Sequence, residues 1–483
     1  MVLITGDGTQ AEAREPADRS RDRVVNHELR VLLAFGTRPE IVKLGPVVQA
    51  LKRMPGVKLD VFWTGQHIEL ADGLLQLFDI EVTHTGSDVI GQSGLAGKFG
   101  LMAQQIESVL QQNRYDWVLV QGDTATAAAA ATAGFLNHVP VAHVEAGLRT
   151  GDLYSPWPEE FNRRTITLCS ALHFAPTAAA ARNLLAEGVP ADRVPVVGNT
   201  VVDALLYVRS KIRTGYRPID PAVADLPQDK KLVLATLHRR ENIGRPLRQV
   251  LSALRELGAD GDKLIVLPVH LNPQVRSQVI ETLGDAPNIR LLRPLQYPDF
   301  VYLLSKAWVV VTDSGGVQEE APTFGLPVLI TRDTTERPEV IEAGFGQLVG
   351  SDTAAIVRGV RALTQSDRPQ RVPGQNPFGR GDSAVQIAER LAGADQSEEL
   401  LPHARAARSV GEDNGKFRNA CSRRSGSIAH QRIGMASLAP DRDGYRCDRR
   451  GLGFLGLFAA WRRFVPQRGW PRHARPYFRV RAL

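Results

Sequence analysis

The chain lacks the raw material of a disulfide scaffold or a thiolate metal site. It has three cysteines in 483 residues, Cys169, Cys421 and Cys447, with no C-x-x-C pair and no histidine-rich spacing around them. Reduced thiols and no bound metal are expected. It also lacks any run near the roughly 20 apolar residues of a membrane span. Its opening, MVLITGDGTQAEAREPADRSRDR, lacks the basic-then-apolar order of a secretory signal. A cytoplasmic protein with no integral membrane segment is the expectation. Both common phosphate fingerprints are missing as well. The first strand–turn–helix stretch, RVLLAFGTRPEIVKLGPVVQALKR (30–53), fits neither G-x-G-x-x-G nor G-x-x-x-x-G-K-[ST].

What is present is average globular composition, 43% hydrophobic, with a formal charge of +7. That charge sits at one end. Residues 401–483 carry 18 Lys and Arg against five Asp and Glu, so the remainder of the chain is net acidic. A basic excess confined to a terminal stretch does not mark the folded part as a nucleic-acid binder, and no nucleic-acid partner is expected.

Apolar strand-like runs alternate with helix-period runs from Leu29 to about Asp203: VLLAF, KLDVFWTG, DWVLVQGD, VPVAHVEAG, ALHFAP and RVPVVGN. After a polar interruption the pattern restarts with KLVLATLH, KLIVLPVH, IRLLRPL, AWVVVTDSGG, LPVLITR and FGQLVG. Such alternation predicts two α/β Rossmann-like domains with parallel sheets and a ligand cleft between them. The expected boundaries are a disordered lead (1–28), a first domain (29–208), a linker (209–230) and a second domain (231–375). A C-terminal helix packing back on the first domain (376–396) and a basic tail (397–483), read as disordered, complete the chain. Seventeen arginines and one lysine in that tail fit either a shifted reading frame or a true basic extension.

The chemistry-bearing residues fall at predicted strand ends. In AFGTRPEIVK, Gly36 permits a tight turn, Pro39 suits the start of a helix, and Arg38 and Lys43 add cations where a helix N-terminus already favours anions. This loop reads either as backbone amides and cations presented to a phosphate or as an ordinary solvated turn between strand and helix. In VTDSGGVQEEAPTFGLPV, Ser314, Gly315 and Gly316 form a second anion nest. Glu320, one helical turn on, can accept bonds from ribose hydroxyls. Carboxylates at Asp123, Glu145, Glu159 and Glu160 face the cleft, where they could exchange protons with a sugar. Helix capping is the competing role for Asp123, and a helix start for the Pro158–Glu159–Glu160 run. Histidines His67, His238 and His270 also sit at strand ends, without the paired spacing of a metal site.

Taken in order, GTRPE, GDT, VEAGLRTGD, SPWPEE, GNTVVDAL, TLHRREN, PVHLNP, TDSGGVQEE and TTERPEV resemble the bacterial non-hydrolysing UDP-N-acetylglucosamine 2-epimerases over about residues 29–396. The resemblance implies a GT-B arrangement of the two domains, a homodimer, and no cofactor. The implied reaction interconverts UDP-GlcNAc and UDP-ManNAc through loss and return of UDP, supplying ManNAc for cell-surface polysaccharide. By the same resemblance Asp123, Glu145 and Glu159 match catalytic carboxylates, and Arg38, Lys43 and His238 match groups near the leaving diphosphate. Arg38, Ser314, Gly315, Gly316, Glu320 and Arg337 match UDP-binding positions. Gln66, His67, Arg239 and His270 match a second UDP-GlcNAc site that activates bacterial members. The segment QHIELAD departs from the arginine usual after that histidine. A related epimerase acting on a diacetamido uronic-acid nucleotide would keep every one of these motifs; a GT-B glycosyltransferase would need an acceptor groove instead.

Overall fold

The computed structural model describes residues 28–65, 68–239 and 242–394. The expected lead and tail, along with Gln66 and His67, lie outside the described residues.

The first half runs β1 (Leu29–Phe35), α1 (Arg38–Lys52), β2 (Val57–Trp63), α2 (Ile68–Leu77), β3 (His84–Thr85), α3 (Leu95–Gln112), β4 (Trp117–Gln121), α4 (Ala125–Leu136), β5 (Val141–Val144), α5 (Glu159–Cys169), β6 (Leu172–Phe174) and α6 (Ala178–Ala186). Helix α7 (Thr200–Arg213) and the short α8 (Pro221–Ala224) lead into the second half. That half runs β7 (Lys231–Thr236), α9 (Arg245–Ala259), β8 (Lys263–Pro268), α10 (Pro273–Leu283), β9 (Ile289–Leu292), α11 (Tyr297–Lys306), β10 (Val309–Thr312), α12 (Gly315–Glu320), β11 (Val328–Ile330), α13 (Pro338–Glu342), β12 (Gly346–Leu348), α14 (Thr353–Leu363) and α15 (Ser383–Ala394).

Each half holds a six-stranded sheet, in the orders β3-β2-β1-β4-β5-β6 and β12-β11-β10-β7-β8-β9. Numbered within its own half, each is the doubly wound order 3-2-1-4-5-6. The strand pairs are parallel, with β1 lying between β2 and β4, and β7 between β8 and β10. Central strands covered by helices on both faces need continuous apolar runs, and WVLVQ in β4 and VVVT in β10 are buried throughout. The order reverses between β1 and β4 and again between β7 and β10. Those two crevices, at the carboxyl ends of the strands, are where such sheets bind ligands.

The stretch RVPVVGN does not form the expected strand. It makes one isolated bridge, Ala175 with Val196, because Pro195 has no N–H to continue a ladder and contributes only its carbonyl, at 2.9 Å from the Ala175 amide. Helix α7 runs through position 208 and packs against α1, α11, α12 and α15, while α15 packs against α1 and α7. The Asp203 carboxylate on α7 accepts the Ala384 amide at 2.9 Å, holding the first turn of α15. One apolar cluster passes from β1 and α1 through Val201, Leu205 and Val208 of α7 to Leu232, Val310 and Leu304, and takes in Ile387 and Leu391 of α15. The two sheets therefore share a continuous core. Among the described residues no helix is long and apolar enough to cross a membrane.

Candidate active site

Helix α1 starts with a capping box: Thr37 is its N-cap and Glu40 its third residue. The fully buried Glu40 carboxylate accepts the amides of Gly36 (3.1 Å) and Thr37 (2.8 Å) and the Thr37 hydroxyl (2.7 Å). This corrects the reading in which the GTRPE loop offers its amides to a phosphate. A carboxylate three residues on takes the Gly36 and Thr37 amides first. What the loop projects toward the second half is cationic. Arg38 reaches the carbonyl of Leu295, ahead of α11, at 2.8 Å.

Lys43, one turn further along α1, is the hinge of the site. Its ammonium lies 2.6 Å from both oxygens of Glu145, which follows β5, and 3.5 Å from Glu319 of α12. Glu145 also accepts the Gln121 side-chain amide from the end of β4, and its backbone is held at φ 64°. That left-handed conformation costs a non-glycine residue energy and aims the carboxylate back over the sheet end. From the other half, Glu319 accepts Arg337 at 2.8 Å and the Asn199 amide at 3.3 Å. Two carboxylates from opposite halves thus share one lysine. Burial, with Glu319 nearby, raises the Glu145 pKa against the pull of Lys43. Burial acts the same way on Glu319, but Lys43 and Arg337 outweigh it and hold that carboxyl below its ordinary value. Glu320, the next residue, faces Arg38 and Tyr297; burial, then the Glu319 charge, push it up to about 8.

The other expected acids sit beside this cluster in different surroundings. Asp123, two residues beyond β4, pairs with Arg163 of α5 at 2.7 Å. Glu160 is wholly buried, accepts the amides of Thr150 (3.2 Å) and Gly151 (3.4 Å), and pairs with Arg163 (3.1 Å) and Arg164 (3.4 Å). It ties down the loop before α5. Glu159, at the start of that helix, has a buried Oε2 with no hydrogen-bond partner among the described residues. The two adjacent glutamates therefore separate into a structural tie and a carboxylate with spare accepting capacity.

At the second crevice, the buried Asp313 accepts the amides of His238 (3.0 Å) and Arg239 (3.1 Å) and the Asn242 side-chain amide (3.1 Å). It thereby fixes the loop after β7. His238 and His270 stack with ring centroids 5.8 Å apart. A Cβ on Gly315 would lie 3.3 Å from Cζ of Arg337 and 3.5 Å from Nη2 of Arg239, so two guanidinium groups close over a residue that has no side chain. Arg239 and His270, assigned by resemblance to a separate activating subsite, are here direct neighbours of Arg337 and His238. Among the described residues no group of three His, Cys, Asp or Glu is placed to hold a metal ion.

Sequence reasoning missed Glu319, Gln121, Asn199, Asp313 and Arg163. Gln121 and Asp313 lie within or beside quoted strand ends, where the position itself was the signal. Glu319 and Asn199 matter because two distant segments meet, and no local pattern marks that.

A family model described as UDP-N-acetylglucosamine 2-epimerase matches residues 49–392. A Ralstonia solanacearum protein named "Probable UDP-N-acetylglucosamine 2-epimerase" is 45% identical over 368 residues, which is 75% of this chain and 98% of that one. The UDP-N-acetylglucosamine 2-epimerase of Escherichia coli K12 is 42% identical over 369 residues, again 75% of this chain and 98% of the other. The crystal structure of the Neisseria meningitidis enzyme bound to UDP-GlcNAc is 39% identical with a TM-score of 0.70, covering 76% of this chain and 100% of that one.

Proposed function

The chain belongs to the UDP-N-acetylglucosamine 2-epimerase family, and on that premise we propose that it interconverts UDP-GlcNAc and UDP-ManNAc without hydrolysing them. The proton at sugar C2 has no adjacent carbonyl to acidify it. Departure of UDP from C1 supplies the missing electron demand: the C2–H pair moves to form the C1–C2 double bond of 2-acetamidoglucal as the C1–O bond to the diphosphate breaks. Protonation of C2 on the opposite face and return of UDP to C1 complete the inversion. No redox cofactor is consumed. The product would serve cell-surface polysaccharide assembly.

The observation that carries this reading is a set of carboxylates just beyond β4 and β5 and at the start of α5, each with different partners. Glu145 is held by Lys43, Asp123 by Arg163, and Glu159 has an unpartnered buried oxygen. Two faces of one carbon need acid–base groups on two sides, and these three carboxylates differ in the partners that hold them. Arg38, Lys43, Arg337 and His238 would neutralise the departing diphosphate, with Ser314, Gly315 and Gly316 beneath it and Glu320 on the ribose. Arg239 and His270, next to these groups, would touch a second UDP-GlcNAc bound alongside. The chain would act as a homodimer. Exposed Leu153, Tyr154, Trp157 and Phe161 border an apolar cavity of about 490 Å³ with Leu95 and Phe99 of α3, a face that a second copy could cover. Proton NMR of the purified protein with UDP-GlcNAc in D2O tests the reaction. UDP-ManNAc carrying deuterium at C2 is expected; release of free ManNAc, or transfer of the sugar with C2 protium retained, would refute it.

A further inference from the structure

Glu40 takes no part in the chemistry just described, yet it is fully buried and bonds across the first crevice. A capping box needs the third helical residue to reach back to the N-cap amide. Here one oxygen meets that need and also takes the Gly36 amide and the Thr37 hydroxyl, while the other accepts the Thr124 hydroxyl at 2.6 Å, 84 residues away in sequence. Thr124 caps α4 by accepting the Ala127 amide at 3.0 Å. Its side chain is thus fixed from both directions. The loops joined in this way are those after β1 and β4, on the two sides of the switch point. One leads into Arg38; the other holds Asp123, the residue before Thr124.

We propose that Glu40 is a positioning residue that staples these two loops and so fixes Asp123 relative to Arg38 for the epimerisation. All four partners donate here, which suits an ionised carboxylate; an amide keeps the set only if the Thr124 hydroxyl turns to accept from its NH2 end. Burying the group is costly, and burial pushes its pKa up to about 7. Four hydrogen bonds to the charged form already offset part of that cost. At the second crevice Asp313 plays the matching part, taking the amides after β7 from its own place after β10. Each switch point is therefore closed by one buried carboxylate joining the loops on its two sides.

The inference rests on the reading of Asp123 as an acid–base group, and the test separates the two. Turnover, KM and UDP affinity are measured for Asp123→Asn, Glu40→Gln and the double variant. Glu40→Gln should lower kcat by about 10- to 100-fold, the usual consequence of misplacing a reacting group by an ångström or less, while UDP affinity stays within about threefold because, Arg38 apart, the groups assigned to the nucleotide lie in the other half. In the Asp123→Asn background the same change should cost no more than about twofold, since the group being positioned is already gone. Thr124→Val, which removes the hydroxyl from the other side, should repeat the loss of kcat, and Thr124→Ser should restore it. This pair keeps the test intact if Glu40→Gln does not fold. Unchanged kcat in Glu40→Gln and Thr124→Val, or losses that multiply with Asp123→Asn, would overturn the staple while leaving the acid–base reading standing. Normal turnover in Asp123→Asn would instead overturn that reading, and the positioning role with it.

Discussion

Glu319 and Glu320 are neighbours in sequence with opposite electrostatic settings: the first is pinned by Lys43 and Arg337, the second is buried against the first one's charge. The pH consequence has a definite sign. Glu320 has a folded-state pKa raised to about 8 from an ordinary 4.5. Its contribution to stability is therefore complete below about pH 4.5 and is lost as pH rises through about 8. Glu320→Gln removes that dependence, so the Tm advantage of the parent over this variant should shrink between pH 5 and pH 8 in thermal unfolding. A difference that stays constant would show that Glu320 is not held protonated. Binding gives a second check. Glu320→Ala should weaken UDP and UDP-sugar alike, by about 0.5–1.5 kcal/mol for each hydrogen bond lost, raising KM more than it lowers kcat. Asp123→Asn and Glu145→Gln should do the reverse, lowering turnover by roughly 10²- to 10⁴-fold while calorimetry still detects UDP. Normal turnover in both would remove them from the chemistry.

Helix α12 shows what an element adds to its residues. It has six residues and opens with two glycines, but the glycines meet different surroundings. A Cβ at Gly315 would press on the Arg337 guanidinium at 3.3 Å, whereas one at Gly316 would meet only Ser314 Oγ, at 3.9 Å. Gly315→Ala should therefore shift the Arg337 guanidinium by a few tenths of an ångström and cost about 1 kcal/mol in UDP binding or stability, the low end of the range for overpacking. Gly316→Ala should be close to neutral in both. Calorimetry with UDP and thermal unfolding on the pair read this contrast directly, and equal effects would show that the close approach at Gly315 carries no weight.

At the scale of the whole molecule, α15 closes the fold. Ile387 and Leu391 are completely buried in the core that runs through both halves, and α7 holds the helix through Asp203. About three-quarters of this chain covers 98% of the relatives' length, and the family match over residues 49–392 ends inside α15. A chain cut after residue 396 should fold and epimerise as the full chain does. One cut at residue 380 should expose that core, losing about 1.5–3 kcal/mol for each large apolar side chain left without a partner, and should be insoluble or unfolded. Expression, circular dichroism and turnover of the two truncations give the answer. An inactive longer chain would mean that residues beyond 396 are needed for activity.

The sequence by itself determined the two parallel sheets, because strands covered on both faces must be continuously apolar and VLLAF, WVLVQ and VVVT cannot be read otherwise. It also put Asp123, Glu145, His238 and Ser314 at strand ends, since each follows such a run. It could not show that RVPVVGN stops at one bridge, because the missing donor of Pro195 matters only once Ala175 lies beside Val196. Nor could it show that Glu40, whose T-x-x-E spacing does mark a capping box, also takes the Thr124 hydroxyl, or that Glu145 and Glu319 meet on Lys43. Those pairings join positions 84 to 276 apart in the chain. Hydrophobic period is a local property that a short window reveals. The partner of a buried charge is decided by which strand ends the sheet order brings together, and only the tertiary structure contains that order.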